Sequence, residues 1–180
     1  MAVRPLRMLL VATGLVAGLG AVAAVGVLAY GREALWQRVA GPADAGPYDF
    51  DAPTRSGHPN DVLMCPEGYC AGAAPELIAP RYPEPPAAVL DRLAAVLAAT
   101  AGVEQIVRDD GAGTLRAVAR TELMRFPDRL HFRVTADPAG GTRLWAYAAS
   151  VVGRGDFGVN RARIEEITRR LASATAAGGT

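Results

Sequence analysis

The sequence predicts an α+β protein, with one transmembrane helix preceding a two-layer sandwich of a four- or five-stranded antiparallel sheet packed by two helices. Three observations support this fold class: a long uncharged segment, a proline-rich segment, and a C-terminal part that switches between helical and strand-like spacing. The predicted organisation is a transmembrane anchor at 1–30, a proline-rich arm with a cysteine loop at 31–86, and an α+β core at 87–176.

The composition excludes several classes of protein. The 180 residues carry a formal net charge of +1, whereas a nucleic-acid-binding domain is usually strongly basic. Apolar residues make up 51% of the chain, which is more than a disordered acidic chain contains. We therefore predict a folded protein without a nucleic-acid partner.

The amino-terminal segment 8–29 has no charged side chain. As a helix of about 1.5 Å rise per residue it would reach about 33 Å, which is enough to cross a bilayer core. Arg4 and Arg7 precede it, so the positive-inside bias predicts a single-pass protein of the inner (cytoplasmic) membrane. Its C-terminal domain would then lie outside the cytoplasm. A cleaved signal peptide is the alternative, since residues 27–29 resemble a processing site.

Two glycines of this segment, Gly14 and Gly18, stand four residues apart. Such a pair lets two helices approach closely, which predicts a possible homodimer. The segment is rich in Gly and Ala, however, so the spacing also arises by chance.

The arm is proline-rich and acidic. Ten of the 13 prolines lie between Pro42 and Pro86, which favours an extended backbone. Residues 31–86 carry four Arg and eight acidic residues, a net charge of −4, whereas residues 87–180 carry 13 Arg and ten acidic residues, a net charge of +3. We expect the acidic arm to lie across the more basic domain and to contribute to its core.

The core shows the order α-β-β-β-β-α. Apolar residues from Ala88 recur three and four apart and predict a helix that ends at Gly102. Strand-like patterns predict strands at 103–108, 114–121 and 130–135, and the segment 143–152, which is apolar on both faces, predicts a central strand. A last helix beginning near Asn160 would direct Ile164, Ile167 and Leu171 inward. Short connections predict antiparallel pairing of consecutive strands.

Cys65 and Cys70 flank a turn sequence. In an oxidising compartment a structural disulfide is the favoured interpretation, and free thiols are an alternative. A redox pair is disfavoured because four residues, and not two, separate the cysteines. A zinc site would have only His58 as a nearby third ligand, so we predict no metal and no cofactor.

The glycine-rich segment 153–158 joins the last strand to the last helix. It lacks the lysine and the spacing of a phosphate-binding loop. We interpret it as a structural corner in which Asp156 accepts backbone N–H bonds and Asn160 caps the helix. Because exposed corners on rigid sheets often carry binding sites, the candidate ligand- or partner-binding residues are Arg154, Asp156, Asn160 and Arg161.

Two segments resemble the bacterial and plastid family DUF1499. Residues 60–70, Asn-Asp-Val-Leu-Met-Cys-Pro-Glu-Gly-Tyr-Cys, are similar to its pattern N-D-x-x-x-C-P-x-G-x-C, and residues 152–165 to V-G-x-x-D-x-G-x-N-R-x-R-x-E. The resemblance covers roughly 58–172 and implies no established activity. Relatives often carry alternating Arg and Ser before the second motif's glycine. Residues 147–151 here contain no Arg. If those arginines bind an anion in relatives, this chain either has lost that capacity or uses Arg154 and Arg161 instead.

Together these features predict a non-catalytic, membrane-anchored binding or structural module on the periplasmic side. Its partner would be an envelope lipid, a small anion or a protein. A catalytic role is not favoured, because the sequence contains no nucleophile elbow. The alternative is a hydrolase-type enzyme using Asp156 with His58 or His131, which requires the two side chains to converge.

Overall fold

The computed structural model describes residues 3–177. The chain divides into two compact units, Met1–Gly41 and Pro42–Thr180. The first unit contains two helices, α1 (Val3–Tyr30) and α2 (Arg32–Ala40).

The predicted transmembrane helix is wrong. Within residues 3–177, no helix combines the length and the apolar character needed to cross a membrane. Ten of the 22 residues in segment 8–29 are Gly or Ala, whose small side chains remove little apolar surface from water. The absence of charge was therefore a poor measure of apolar character. The same finding contradicts the predicted single-pass location in the inner membrane.

Gly14 and Gly18 both lie in α1. A Cβ added at either glycine would meet no atom of the chain within 4 Å. Pairing of two copies through these glycines stays a prediction.

The second unit is built around a single mixed sheet. Its strands are β1 (Asp61–Cys65), β2 (Leu77–Ile78), β3 (Val103–Asp109), β4 (Thr114–Arg120), β5 (Pro127–Ala136) and β6 (Thr142–Ser150). Their order across the sheet is β2-β1-β6-β5-β4-β3. Strands β1 and β2 are parallel, and the other neighbours are antiparallel. The prediction of a four- or five-stranded antiparallel sheet is therefore wrong, although the α+β class is correct.

The two additional strands lie in the segment interpreted as an arm. Strand β1 contains the apolar run 62–65, in which alternate residues enter the two cores on opposite faces of the sheet. A short 3-10 helix, Ala71–Ala73, precedes β2. The apolar run of β1 was not recognised as a strand, because the prolines around it favour extended structure without indicating a sheet partner.

Two helices cover the first face of the sheet, α3 (Pro86–Ala98) and α4 (Val159–Ala177). The predicted inward residues of α4 are fully buried, namely Ile164, Ile167 and Leu171. The apolar residues of α3 lie in the same core as those of β4 and β5. Both helices predicted within 87–176 are therefore present, and they pack on the same face of the sheet.

The second face of the sheet is covered by residues 42–56, which we call the arm segment. Its core contains Phe50, Leu63, Cys65, Trp145 and Tyr147. Three sheet arginines bind the arm segment: Arg116 to the Asp44 carboxylate, Arg133 to the Asp51 carboxylate, and Arg129 to the carbonyl oxygens of Pro42 and Ala43. The expectation that the acidic arm lies across the basic domain is confirmed.

Cys65 and Cys70 are joined by a disulfide, as the favoured interpretation predicted. The bond closes a short loop next to the second core, where Cys65 is completely buried.

Reduction of this disulfide should lower the free energy of unfolding by about 2 kcal/mol, because the loop it closes is short. Urea unfolding with and without reductant measures the effect. The double variant Cys65→Ala/Cys70→Ala is the control, and reductant should leave its unfolding curve unchanged. Equal responses of wild type and double variant to reductant would contradict a stabilising bond.

Candidate functional site

The corner between β6 and α4 is organised by Asp156. Its Oδ1 accepts a hydrogen bond from the Gly158 N–H at 2.9 Å, and its Oδ2 accepts one from the Asn160 N–H at 2.9 Å. Asp156 therefore caps the helix, a role that the sequence analysis assigned to Asn160. Phe157, which lies between Asp156 and Gly158, has a φ of 55° and an exposed side chain.

The buried Asn160 side chain instead links the start of α4 to the sheet by hydrogen bonds. Its Nδ2 donates to the Ser150 Oγ at 3.0 Å and to the Asn60 carbonyl at 3.3 Å. Its Oδ1 accepts from Arg163, which also donates to the buried Asp128 carboxylate at 2.8 Å. These contacts fix the start of α4 against the ends of β1, β5 and β6.

The other two predicted site residues lie at the surface. Arg154 is exposed, and Arg161 forms an exposed ion pair with Glu165 at 3.0 Å. Both Asp156 oxygens accept backbone N–H bonds, and in the described chain no hydrogen bond joins Asp156 to His58 or His131. The corner therefore supports helix geometry more directly than it supports ligand binding.

Replacing Asp156 by Ala should lower the free energy of unfolding by about 1 kcal/mol, since two N–H groups at the helix start lose their acceptor. Thermal unfolding of the variant tests this. Arg154→Ala at the same corner is the matched control and should leave Tm unchanged. Equal Tm values for both variants and wild type would show that the cap contributes no stability.

A more promising site lies on the second face of the sheet, between the arm segment and strands β5 and β6. This open space, which we call the Arg129 cleft, has a volume of about 350 Å³. Its walls include Tyr48, Ser56, Arg129, His131, Tyr147 and Ser150. The cleft adjoins the corner, because Ser150 belongs to both.

Arg129 supplies the positive charge of the cleft. Its Nε donates to the Ala43 carbonyl at 2.8 Å and its Nη2 to the Pro42 carbonyl at 3.0 Å. Among residues 3–177, no carboxylate lies within ion-pair distance of this guanidinium. Carbonyl oxygens satisfy its N–H groups without cancelling its charge, so an anion in the cleft would be attracted.

His131 is a buried, neutral imidazole. It is 7% exposed, and its ring centroid lies 5.7 Å from that of Tyr48 and 6.3 Å from that of Tyr147. Burial and the nearby charge of Arg129 lower the pKa of His131 to about 4, with Arg116 acting in the same direction and Asp44 opposing them. The imidazole therefore adds no charge to the cleft at pH 7.

Tyr147 is a second polar residue that lines the cleft. Tyr147 stacks on Tyr48 with 4.1 Å between ring centroids and donates to Asp61 Oδ2 at 3.1 Å. Burial, together with the Asp61 charge, raises the pKa of Tyr147. Burial opposes ionisation of Asp61, but hydrogen bonds from Arg55 and the Ser56 N–H hold its pKa below its usual value. Arg55, which also lines the cleft, thus pairs with the Asp61 carboxylate at 2.7 Å.

The hydroxyl groups of the cleft are directed away from His131. Ser150 donates to the Asp128 carboxylate at 2.6 Å, and Ser56 donates to oxygens of His58 and Asn60. A nucleophile activated by His131 would need that imidazole within hydrogen-bond reach, and no described hydroxyl group of the cleft forms a hydrogen bond with His131. Nor do the described residues of the chain contain a group of three or more His, Cys, Asp or Glu that could hold a metal ion.

Residues 52–171 match the model of a protein family of unknown function, DUF1499. The chain belongs to this family. The DUF1499 match includes both segments on which the sequence resemblance rested, and it contains every wall residue of the Arg129 cleft except those at the start of the arm segment. The comparison with curated proteins finds no match.

The sequence analysis missed the Arg129 cleft. Arg129, His131 and Arg133 alternate with apolar residues along β5, and the alternation from residue 130 onward was used only to predict a strand. The missing information was the position of Tyr48, which lies far away in sequence and covers His131. The available signal was a polar row on β5 with one histidine and two arginines, together with a proline-rich segment that carries Tyr48 and Phe50.

Burial of His131 makes stability dependent on pH. Its pKa is about 4 in the folded protein and 6.5 when unperturbed, so the unfolded chain binds the proton first. The contribution of neutral His131 to the free energy of unfolding is then fully present above pH 6.5. It is lost as the pH drops toward 4, which lowers the free energy of unfolding by roughly 3 kcal/mol.

Denaturant unfolding between pH 7 and pH 4.5 measures this loss. His131→Gln should flatten the pH dependence, whereas His58→Gln, which removes an exposed imidazole, should leave it as in wild type. A variant at position 131 with an unchanged slope would assign the dependence to other groups.

Proposed function

We propose that this protein is a non-catalytic module that binds a small anion in the Arg129 cleft. The observation that carries the proposal is the Arg129 guanidinium, whose charge is not cancelled by any described carboxylate although it lines an open cleft. Its hydrogen bonds to carbonyl oxygens hold the guanidinium in place and leave its positive charge available to an anion in the cleft.

The size and the walls of the cleft favour a small ligand with an unsaturated or apolar part. A volume of about 350 Å³ lies at the lower end of small-molecule sites. The stacked rings of Tyr48 and Tyr147 provide a flat wall. Ser150 closes the end of the cleft that adjoins the corner, and its hydroxyl proton is donated to Asp128.

A binding role is favoured over hydrolysis by the hydrogen bonds of the candidate groups. Asp156 caps α4, and Ser150 donates to Asp128. His131 is neutral at pH 7 but contacts aromatic rings and no described hydroxyl group. Each group that a hydrolase would need therefore has a structural partner.

Titration with inorganic phosphate, followed by amide NMR shifts or calorimetry, tests the proposal. Arg129→Gln should weaken phosphate binding about tenfold or more, because a charge-assisted hydrogen bond is lost. Arg129→Lys keeps the charge and should retain part of the affinity. Circular dichroism establishes that each variant is folded.

Arg154→Gln is the matched control, since it removes the same charge from an exposed corner. Its phosphate affinity should equal that of wild type. If both Gln variants lose the same affinity, binding is nonspecific screening of net charge and the Arg129 cleft is not the site.

A further inference from the structure

A second cleft lies on the same face of the sheet, beyond Phe50 of the arm segment. It has a volume of about 380 Å³ and is lined by Phe50, Asp51, Tyr69, Arg133, Arg143 and Trp145. We propose that this space, the Arg133 cleft, is a binding site for small carboxylates, and that the Asp51 side chain occupies it in the ligand-free chain. The proposal concerns a different cation and a different space from the Arg129 cleft.

Two aromatic rings restrict the position of the Arg133 guanidinium, which favours anion binding. Its guanidinium carbon lies 4.7 Å from the centroid of the Trp145 ring and 5.4 Å from that of the Phe50 ring. The side chain is only 17% exposed. Two aromatic rings thus fix the plane of the guanidinium, which reduces the entropy lost when an anion binds.

The only carboxylate in the described chain that pairs with Arg133 belongs to Asp51. Its Oδ1 accepts from Nη1 at 2.9 Å, and no described group accepts a hydrogen bond from Nη2. Arginine binds carboxylates best with two parallel hydrogen bonds. A free carboxylate that engages both nitrogens therefore has an advantage over the single contact that Asp51 makes.

Asp51 can leave without undocking the arm segment. Its side chain is 84% exposed, whereas the neighbouring Phe50 is buried. Its backbone is held separately, because Asp49 Oδ1 accepts the N–H groups of Asp51 at 2.8 Å and Ala52 at 3.2 Å. Rotation of one exposed carboxylate into water is enough to clear Arg133.

The remaining walls define the class of ligand. Arg143 is already engaged by the Tyr69 hydroxyl and by the buried Asp137 carboxylate, whereas the carboxylate partner of Arg133 is exposed. The Trp145 and Tyr69 rings meet edge to face at 5.7 Å. The expected ligand is therefore a small molecule with one carboxylate, which replaces Asp51 at Arg133, and an apolar part, which contacts the aromatic rings.

Benzoate is a suitable probe, and benzamide is its neutral counterpart. Trp145 reports on the cleft by fluorescence once Trp36, the other tryptophan, is replaced in a Trp36→Phe background. In that background Asp51→Asn should bind benzoate about two- to fivefold more tightly than Asp51, the gain expected from removing one exposed ion pair.

Asp49→Asn is the matched control. It removes the same charge two residues away, and its amide oxygen can still accept both backbone N–H bonds, so its benzoate affinity should equal that of the Trp36→Phe parent. Arg133→Gln should abolish benzoate binding, and Arg133→Lys should weaken it severely, because Lys keeps the charge without the planar fork.

Several outcomes would overturn the proposal. Equal benzoate affinities with Asp51 and with Asn at this position would show that Asp51 does not compete for the site. Benzamide binding as tightly as benzoate would remove the carboxylate requirement, and absence of benzoate binding in every variant would remove the site. Phosphate titration of the same variants is read separately and reports on the Arg129 cleft, so failure of one site is distinguishable from failure of the other.

Discussion

The structure of the second unit depends on contact between the arm segment and the second face of the sheet. That face carries arginines and aromatic rings that would otherwise be exposed to water. The arm segment provides Asp44 and Asp51 for two of the arginines and the rings of Tyr48 and Phe50 for the aromatic surface. Charge pairing alone contributes little at a surface, so burial of the aromatic rings must supply most of the stabilisation.

The same contact creates both clefts. The arm segment does not fill the face completely, and Tyr48 and Phe50 touch the sheet at two neighbouring places. An Arg129 cleft remains on one side of these rings and an Arg133 cleft on the other. The two cations differ in their partners, because carbonyl oxygens surround Arg129 whereas a carboxylate neutralises Arg133. Ligand binding at either cleft would therefore depend on how the arm segment is seated.

The two segments on which the DUF1499 resemblance rests are neighbours in space. Asn60 donates to the Gly153 carbonyl at 2.8 Å, and its own carbonyl accepts from Ser150 and Asn160. The polar residues of both motifs thus form one hydrogen-bonded junction between β1, β6 and α4. A buried amide without partners is costly, which explains why these residue types occur together. The motif residues at this junction support the frame of the Arg129 cleft without lining most of it.

The elements with regular spacing, including α3, α4 and strands β3 to β6, were predictable from local sequence, because burial of one face imposes a period that short segments display. The sequence also indicated the disulfide and the attraction between arm and domain. Membrane crossing was wrongly inferred, since lack of charge does not make Gly and Ala strongly apolar. Three features could be seen only in the folded chain. Strands β1 and β2 extend the sheet, and Tyr48 buries His131. Asp156 caps α4, whereas Asn160 links α4 to the sheet. These outcomes depend on contacts between residues distant in sequence, and local spacing carries no information about such partners.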